Sequence, residues 1–173
     1  HSTSKLSLNQ LFEIFTCIKP RAFSIASSCK ANKNKQLDIL VAVVKYYTKL
    51  KSERLGLCSN YLKNLSVGKK IFAWITKGTF KFPDDVILTL FLFIFLFNRI
   101  KFKYKLKFQN KPMIMIGPGT GLAPFRSLIM EKDYLQVASK ELLVLFFGCR
   151  NANGDFHCRE YLKEMESLGK LFL

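Results

Sequence analysis

Paired cysteines, acidic residues and long apolar runs are all scarce in this 173-residue chain, and each shortage excludes a class of protein. The five cysteines form an odd set without C-x-x-C spacing, which argues against a disulfide framework or a zinc site and favours a reducing compartment. The longest apolar run, at 86–97, has twelve residues, whereas a membrane span needs about 20. No apolar signal-peptide core follows the polar start at 1–9. We therefore expect a cytoplasmic chain with no membrane span and no metal site.

The shortage of acidic residues leaves a large positive charge. Twelve Asp and Glu face 28 Lys and Arg, for a net charge of +16. Such a charge fits an anionic partner, which can be a nucleic acid, a membrane surface or a phosphate-bearing cofactor. Hydrophobic residues make up 49% of the chain and charged residues 23%, which is typical of a globular protein rather than a disordered one.

The segment 86–109 differs from the rest of the chain. Its first half, VILTLFLFIFLF, has one polar residue, and its second half, NRIKFKYKLKFQ, has Lys or Arg at every second position from 99 to 107. Alternation at period two is typical of a strand. Cations beside an apolar wedge are also typical of a segment that lies on a membrane surface, and this alternative stays open.

A third hypothesis is that 86–109 is a translated, retained intron of 24 codons. Its residues are mostly those written by A/T-rich codons; its first residue, Val86, has codons that begin GT, and Phe108-Gln109 can be written TTTCAG. Removing the segment lowers the net charge from +16 to +11, because it holds five basic residues and no acidic ones.

We predict that sequencing the transcript across this region will reveal messages in which 85 is joined directly to 110. The intron's GT and AG ends should mark both boundaries of the removed piece. A message that always contains the segment, without those ends, would refute the hypothesis.

A glycine-rich stretch at 117–126, GPGTGLAPFR, carries the strongest chemical signal. It follows an apolar run, Pro112–Ile116, typical of a buried strand, and Pro124 suits the first turn of a helix. Alternate glycines let the backbone turn tightly and approach a ligand closely. Because a helix N-terminus offers N–H groups and a positive dipole end, we predict a phosphate-binding loop. The alternative is a turn without a ligand, since the dinucleotide fingerprint would have a third glycine where Leu122 stands.

The next residues predict a strand–helix–strand unit with parallel strands. We expect a helix from about Ala123 to Val137 and a second apolar strand over 142–147. The helix residues expected to face inward are Phe125, Leu128, Ile129 and Leu135.

The carboxyl end of that second strand is where ligands of open parallel sheets bind. Cys149 there can face a cofactor or be inert core, and Arg150 can pair with a phosphate or remain a solvated surface charge. Asp155 is predicted to cap a helix that runs to about Leu168. The apolar contacts of this helix are expected from Phe156, Tyr161, Leu162 and Met165.

Upstream of the unusual segment, the sequence predicts mainly β-structure. The β-prone runs are 20–28, 37–47 and 71–75. Between the last two, GLCSNYL at 56–62 predicts a turn that enters a short helix, whose free N–H groups and Ser59 can hold a second phosphate. A plain helix cap is the alternative there, and a paired surface cation is the alternative for Arg21.

Four motifs taken together and in order are specific. RAFSIASS at 21–28, GLCSNYL at 56–62, GPGTGLAPFR at 117–126, and FFGCRN at 146–151 with Asp155 following resemble the ferredoxin–NADP⁺ reductase module of the diflavin reductase family. The resemblance covers roughly 5–85 and 110–173. Phe23 and Cys58 are similar to the branch of the family that functions in cytosolic iron–sulfur assembly.

The resemblance implies an α+β and α/β fold in two domains. Residues 1–85 would form part of an antiparallel FAD-binding β-barrel, and 110–173 the N-terminal half of a Rossmann-like, parallel α/β NADPH-binding domain. The segment 86–109 would be an anomalous insertion between them. Because the family has an FMN domain before this region and further nucleotide-binding residues after it, we expect a fragment.

The resemblance also implies roles for residues in the first domain. Arg21 would contact the FAD pyrophosphate through its forked guanidinium. Phe23 would pack on the isoalloxazine ring, and Ser24, a catalytic residue, would donate a hydrogen bond near the reactive flavin nitrogen. The residues implied to wrap the FAD diphosphate are Gly56, Leu57, Cys58 and Ser59.

In the second domain, the resemblance implies that Gly119, Thr120 and Gly121 cradle the NADPH pyrophosphate. Cys149, the second catalytic residue, would lie against the nicotinamide, and Arg150 near the phosphates of the nucleotide.

The implied function is hydride transfer from NADPH to FAD, followed by electron transfer through FMN to an acceptor protein, an iron–sulfur protein in the branch named above. Neither a nucleic acid nor a membrane is an expected partner, and the oligomeric state is left open. Two alternatives remain: an inactive truncated fragment, and a basic protein that associates with membranes or nucleic acids.

Overall fold

The computed structural model describes residues 7–15, 17–33, 35–80, 82 and 112–173. All three hypotheses for 86–109 lie outside these residues. The helices and strands are, in chain order, α1 (Leu8–Ile14), β1 (Lys45–Tyr47), β2 (Glu53–Leu55), α2 (Leu57–Lys63), β3 (Met113–Pro118), α3 (Leu122–Tyr134), β4 (Leu143–Gly148) and α4 (Arg159–Ser167). A 3₁₀ turn, Gly119–Gly121, joins β3 to α3. None of the helices in the described ranges has the length and apolar character needed to cross a bilayer.

The C-terminal half, residues 112–173, contains the predicted strand–helix–strand unit. Strands β3 and β4 are parallel, in a register that runs from Met113 opposite Leu143 to Pro118 opposite Gly148. The sheet continues on the far side of β4 at one residue, Phe172, whose backbone N–H donates to the Leu143 carbonyl at 2.9 Å. The strand β4 therefore has β3 on one side and the parallel bridge residue Phe172 on the other.

The apolar core lies between this sheet and helices α3 and α4. Side chains alternate along β3: Met115 is buried, whereas Ile114 and Ile116 are exposed. Ile129 is buried as predicted, and Phe125 and Leu128 pack against the core. The buried apolar residues of this cluster are Met115, Leu122, Ile129, Leu143, Leu145, Leu162, Met165 and Leu171.

Helix α3 ends at Tyr134, three residues before the predicted end at Val137. The reason is a left-handed residue, Gln136, with φ of 56°. The N–H of Val137 then donates to the Lys132 carbonyl at 2.9 Å, which is the bond of a Schellman motif and closes the helix. Leu135 lies beyond the last helical residue and is half-buried.

The predicted N-cap of α4 is wrong. The helix begins at Arg159, and the capping position is Cys158, which has left-handed backbone angles. Asp155 instead closes a turn, since its N–H donates to the Asn151 carbonyl at 2.8 Å, and its carboxylate accepts from Arg150 Nε at 2.9 Å. The apolar contacts of α4 are confirmed: Leu162 and Met165 are buried, and Phe156 and Tyr161 pack against the core.

The N-terminal half, residues 7–82, contains less strand than its sequence predicts. Strands β1 and β2 form an antiparallel hairpin, and Ile25 makes an isolated antiparallel bridge with Ile39. The run 71–75 is exposed coil, so the predicted strand there is wrong. A β-prone run becomes a strand only where a partner edge is available, and propensity alone does not supply one. One antiparallel and one parallel sheet confirm the predicted mixed fold class.

The two halves meet along one side of α3. Arg126 Nη1 donates to the Ala26 carbonyl at 2.7 Å and to Asp38 Oδ2 at 3.0 Å, and Ser127 Oγ donates to the Ser27 carbonyl at 2.8 Å. We call these three bonds the α3 contact. The rings of Phe80 and Phe125 pack edge to face beside it, with centroids 5.7 Å apart.

The free energy of unfolding should depend on pH through the Asp38 carboxylate of the α3 contact. A hydrogen bond from Gln36, and after it the Arg126 guanidinium, holds the pKa of Asp38 below its ordinary value. A lowered pKa means that the ionised carboxylate favours the folded state, so its contribution is complete above about pH 4 and is lost as the pH falls through the lowered value. We predict that Asp38→Asn lowers the free energy of unfolding at neutral pH by about 1–2 kcal/mol.

Denaturant unfolding measured between about pH 6 and pH 2 tests this. The gap between the native chain and Asp38→Asn should narrow as the pH falls. A gap that stays constant or widens in acid would contradict the assignment.

Candidate functional site

The glycine-rich loop, residues 117–121, turns sharply between β3 and α3. Gly119 has φ of +53°, in the left-handed region, and a side chain added there would meet no atom within 4 Å. At Gly117, by contrast, an added Cβ would lie 3.2 Å from the Leu122 backbone. Gly117 is therefore required by close packing, whereas Gly119 is required by its backbone angle and leaves open space above the loop.

The first helical turn beyond this loop is suited to an anion. The dipole of α3 adds positive charge at this end, while the Leu122 N–H already donates to the Gly119 and Thr120 carbonyls and Pro124 has no N–H. Gly121 is exposed and Thr120 is half-buried at this point. Open space, main-chain donors and the absence of side chains at two positions fit a pyrophosphate group.

Cys149 and Arg150 follow β4 at the same edge of the sheet as this loop. Gly148 lies opposite Pro118 in the parallel register, and an added Cβ at Gly148 would contact Pro118 Cβ at 3.6 Å. The Cys149 side chain is exposed beside the loop. The Arg150 side chain is 92% exposed and is paired with Asp155, so it keeps most of its guanidinium available to an anion.

Arg21, Phe23 and Ser24 lie on the segment that leads into the α3 contact. Arg21 is exposed, and its Nη1 donates to the Lys19 carbonyl at 2.7 Å. Phe23 is half-buried and Ser24 is exposed. An exposed guanidinium, an accessible ring and an accessible hydroxyl are the groups that the predicted flavin contacts require.

Helix α2 begins at Leu57, as the GLCSNYL motif predicts, with Gly56 as its N-cap. The Ser59 hydroxyl is buried, accepts from the Val44 N–H at 3.0 Å and donates to the Gly56 carbonyl at 3.3 Å. This hydroxyl therefore fixes the start of the helix. A diphosphate at this position would rely on main-chain N–H groups, beside exposed Leu57 and half-buried Cys58.

The α3 contact links one candidate residue of each half, Ser24 and Gly121, through short stretches of chain. Ser24 is two residues from Ala26, at most about 7 Å between Cα atoms. Gly121 is five residues before Arg126, about 8 Å along the helical axis. Both are therefore tethered to the same hydrogen bonds.

The residues of the α3 contact were not predicted as functional. Arg126 and Ser127 bond to residues about 100 positions earlier in the chain, and no local pattern indicates such a partner. The one available signal is a cation on the face of α3 that also carries Phe125 and Ile129, because a charge among core positions requires a specific partner.

Two titratable side chains, Tyr161 and Cys158, lie near the Arg126 guanidinium. Burial raises the pKa of Tyr161 to about 12, and burial also raises the pKa of the Cys158 thiol. Both groups therefore stay protonated at neutral pH, and Cys158 is an inert core thiol. Within the described ranges, His, Cys, Asp and Glu side chains form no cluster of three or more that can hold a metal ion.

Comparison with known proteins shows which families the two halves resemble. Residues 2–61 match the FAD binding domain family, and residues 115–171 match the oxidoreductase NAD-binding domain family. The chain is 39% identical over 176 residues to NADPH-dependent diflavin oxidoreductase 1 of Danio rerio, a match that covers all of this chain and 25% of the relative. The protein of the same name from Candida albicans is 37% identical over 145 residues, covering 84% of this chain and 20% of the relative. The chain thus spans about a quarter of the length of the curated relatives it matches.

A solved structure is similar in fold. The ferredoxin–NADP⁺ reductase of Plasmodium falciparum superposes with a TM-score of 0.58 and 22% sequence identity, over 88% of this chain and 48% of that chain. The likeness concerns the fold alone.

Two glycine substitutions should separate packing from ligand binding. In Gly56→Ala, the new Cβ would lie 2.6 Å from Val44 Cβ, so we expect a loss of about 1–3 kcal/mol in unfolding free energy. In Gly121→Ala, the nearest atom is Pro118 Cδ at 3.5 Å, an ordinary contact, so stability should change by less than about 0.5 kcal/mol.

Calorimetric titration with NADPH completes the comparison. The methyl group of Gly121→Ala would occupy the space above the loop, so affinity should fall about tenfold or more. Full affinity in a stable Gly121→Ala protein would show that the loop does not hold the nucleotide.

Proposed function

Because this chain belongs to the diflavin reductase family, we propose that it forms the part of a reductase in which NADPH gives a hydride to FAD. The observation that supports the proposal is the α3 contact, which bonds the end of the RAFSIASS segment to the helix that follows the glycine-rich loop. Hydride transfer needs two rings at van der Waals distance, and therefore needs both binding sites on a shared crevice.

On the nucleotide side, we assign the pyrophosphate of NADPH to Gly119, Thr120 and Gly121. The positive end of the α3 dipole lies there, and the open space at Gly119 lets the backbone approach the ligand. Cys149, exposed at the adjacent strand end, would lie against the nicotinamide. Arg150 would approach a phosphate while it keeps its ion pair with Asp155.

On the flavin side, we assign the FAD diphosphate to Arg21 and to the start of α2. The residues at that helix start are Gly56, Leu57, Cys58 and Ser59. Phe23 would stack on the ring, and Ser24 would donate a hydrogen bond beside the hydride-accepting atom. When bound, FAD and NADPH supply the redox chemistry, and the chain supplies binding, orientation and exclusion of water.

On the basis of the family, we further propose where the electrons go after they reach FAD. They would pass through FMN, held outside the residues of this chain, to an iron–sulfur acceptor protein in the cytoplasm.

A flavin-reduction assay tests the proposal. We predict that the purified chain mixed with FAD is yellow, and that NADPH bleaches the visible flavin band under anaerobic conditions. Ser24→Ala and Cys149→Ala should each slow the bleaching by about tenfold or more, because each removes a group placed beside the reacting atoms. Cys29→Ala, which removes another exposed thiol, should bleach at the native rate.

A colourless protein that retains no FAD would instead support an inactive fragment. A yellow protein that NADPH does not bleach would contradict the proposed hydride transfer.

A further inference from the structure

Arg126 occupies an unusual position for a cation, since its side chain is only 18% exposed. It belongs to α3 in the C-terminal half, but both acceptors of its Nη1 atom, the Ala26 carbonyl and Asp38 Oδ2, belong to the N-terminal half. A guanidinium taken out of water needs partners in good geometry, and here they come from residues 100 and 88 positions away.

The C-terminal half also contacts the guanidinium, through the Tyr161 ring. Its central carbon lies 5.4 Å from the centroid of the Tyr161 ring, within the range of a cation–π contact. The Tyr161 ring of α4 and the two acceptors of the N-terminal half therefore hold the Arg126 side chain between them. Its Nε atom is buried and has no hydrogen-bond partner among the described residues, so the Nη1 bonds carry the polar attachment.

The segment Ala26–Ser28 is held on both sides. On one side, Ala26 N–H donates to the Asp38 carbonyl at 2.8 Å, and Asp38 N–H donates to Ser27 Oγ at 2.9 Å. On the other side, successive residues of α3, Arg126 and Ser127, donate to the carbonyls of the successive residues Ala26 and Ser27. Two parallel bonds of this kind fix the segment against both sliding and rotation.

We propose that Arg126 is a positioning residue for hydride transfer, a role that rests on the function proposed above. It would act through the Ala26–Ser28 segment, which continues directly from Phe23 and Ser24. By fixing this segment against α3, Arg126 sets the separation between the flavin contacts and the glycine-rich loop, five residues before it on the same helix. Arg126 itself touches neither candidate binding site.

The expected consequence is selective. A displacement of about 1 Å between reacting groups can slow a reaction about 100-fold, whereas each cofactor would still meet its own local binding residues. Arg126→Met, which keeps an unbranched apolar stem and removes the guanidinium, should therefore lower kcat about 10–100-fold. FAD content should be retained, and KM for NADPH should change less than about threefold.

A conservative variant and a matched control sharpen the test. Because both bonds come from the single atom Nη1, the ammonium of Arg126→Lys has enough donors to replace them. We predict that this variant recovers kcat to within about threefold of the native value. Arg54→Met makes the same substitution at an exposed position of β2 and should leave kcat unchanged.

Hydrogen–deuterium exchange of the protein without cofactors gives a second readout. The N–H groups of Ala26 and Asp38 should exchange faster in Arg126→Met than in the native chain or in Arg54→Met. If Arg126→Met proves unstable, Ser127→Ala removes the neighbouring bond alone and should produce a smaller effect of the same kind on exchange and on kcat.

The outcomes separate this proposal from the proposed function. A native chain that binds FAD but is not reduced by NADPH refutes the proposed function, and faster exchange in Arg126→Met would still show the tether. A native chain that is reduced normally, together with a folded Arg126→Met of equal kcat or unchanged exchange, refutes the positioning role. A Lys variant no better than the Met variant also refutes it.

Discussion

The fold depends on polar bonds along α3, the α3 contact and the Lys30–Glu131 ion pair at 2.6 Å, which join two weakly connected halves. Among the described residues, the N-terminal half has one hairpin with strands of three residues each and one isolated bridge, and its apolar side chains are mostly exposed. The C-terminal half has a real core between its parallel sheet and two helices. Arg126 and Ser127 join the one to the other, and because these bonds are mostly shielded from water, they are stronger than surface contacts of the same kind.

In that contact, one cation of this basic chain, Arg126, has a specific structural role. Most of the cations are solvated, and solvated pairs contribute little to stability or to selectivity. Arg126 is different because it is mostly buried between Asp38 and the Tyr161 ring. In the proposed function, the two phosphate sites would rely mainly on backbone N–H groups at a glycine-rich turn and at a helix start, with the exposed side chains of Arg21 and Arg150 beside them. Charge would then assist binding, and backbone shape would determine where the ligands lie.

The sequence predicted best where the structure is determined locally. Strands β3 and β4, the glycine-rich turn and the start of α2 follow from apolar runs, a left-handed glycine and a cap, which are all properties of a few neighbouring residues. The end of α3 and the start of α4 were missed because Gln136 and Cys158 adopt left-handed angles that neither residue type requires. The strands predicted at 71–75 and over most of 20–28 are absent because strands need partners, and the α3 contact was missed because its partners lie about 100 residues apart. At each of these places, tertiary context rather than the local sequence determined the structure.

The most direct measurement of the central claim is an absorbance titration that reports whether the two rings meet. Reduced nicotinamide stacked on oxidised flavin, or oxidised nicotinamide stacked on reduced flavin, gives a broad charge-transfer band beyond the flavin absorption. We predict that this band develops when NADPH is mixed with the FAD-loaded chain, before the flavin is bleached, and that NADP⁺ added to the reduced protein restores it. If FAD and NADPH each bind with measurable affinity while no such band forms, the two sites do not share a crevice and the account is wrong.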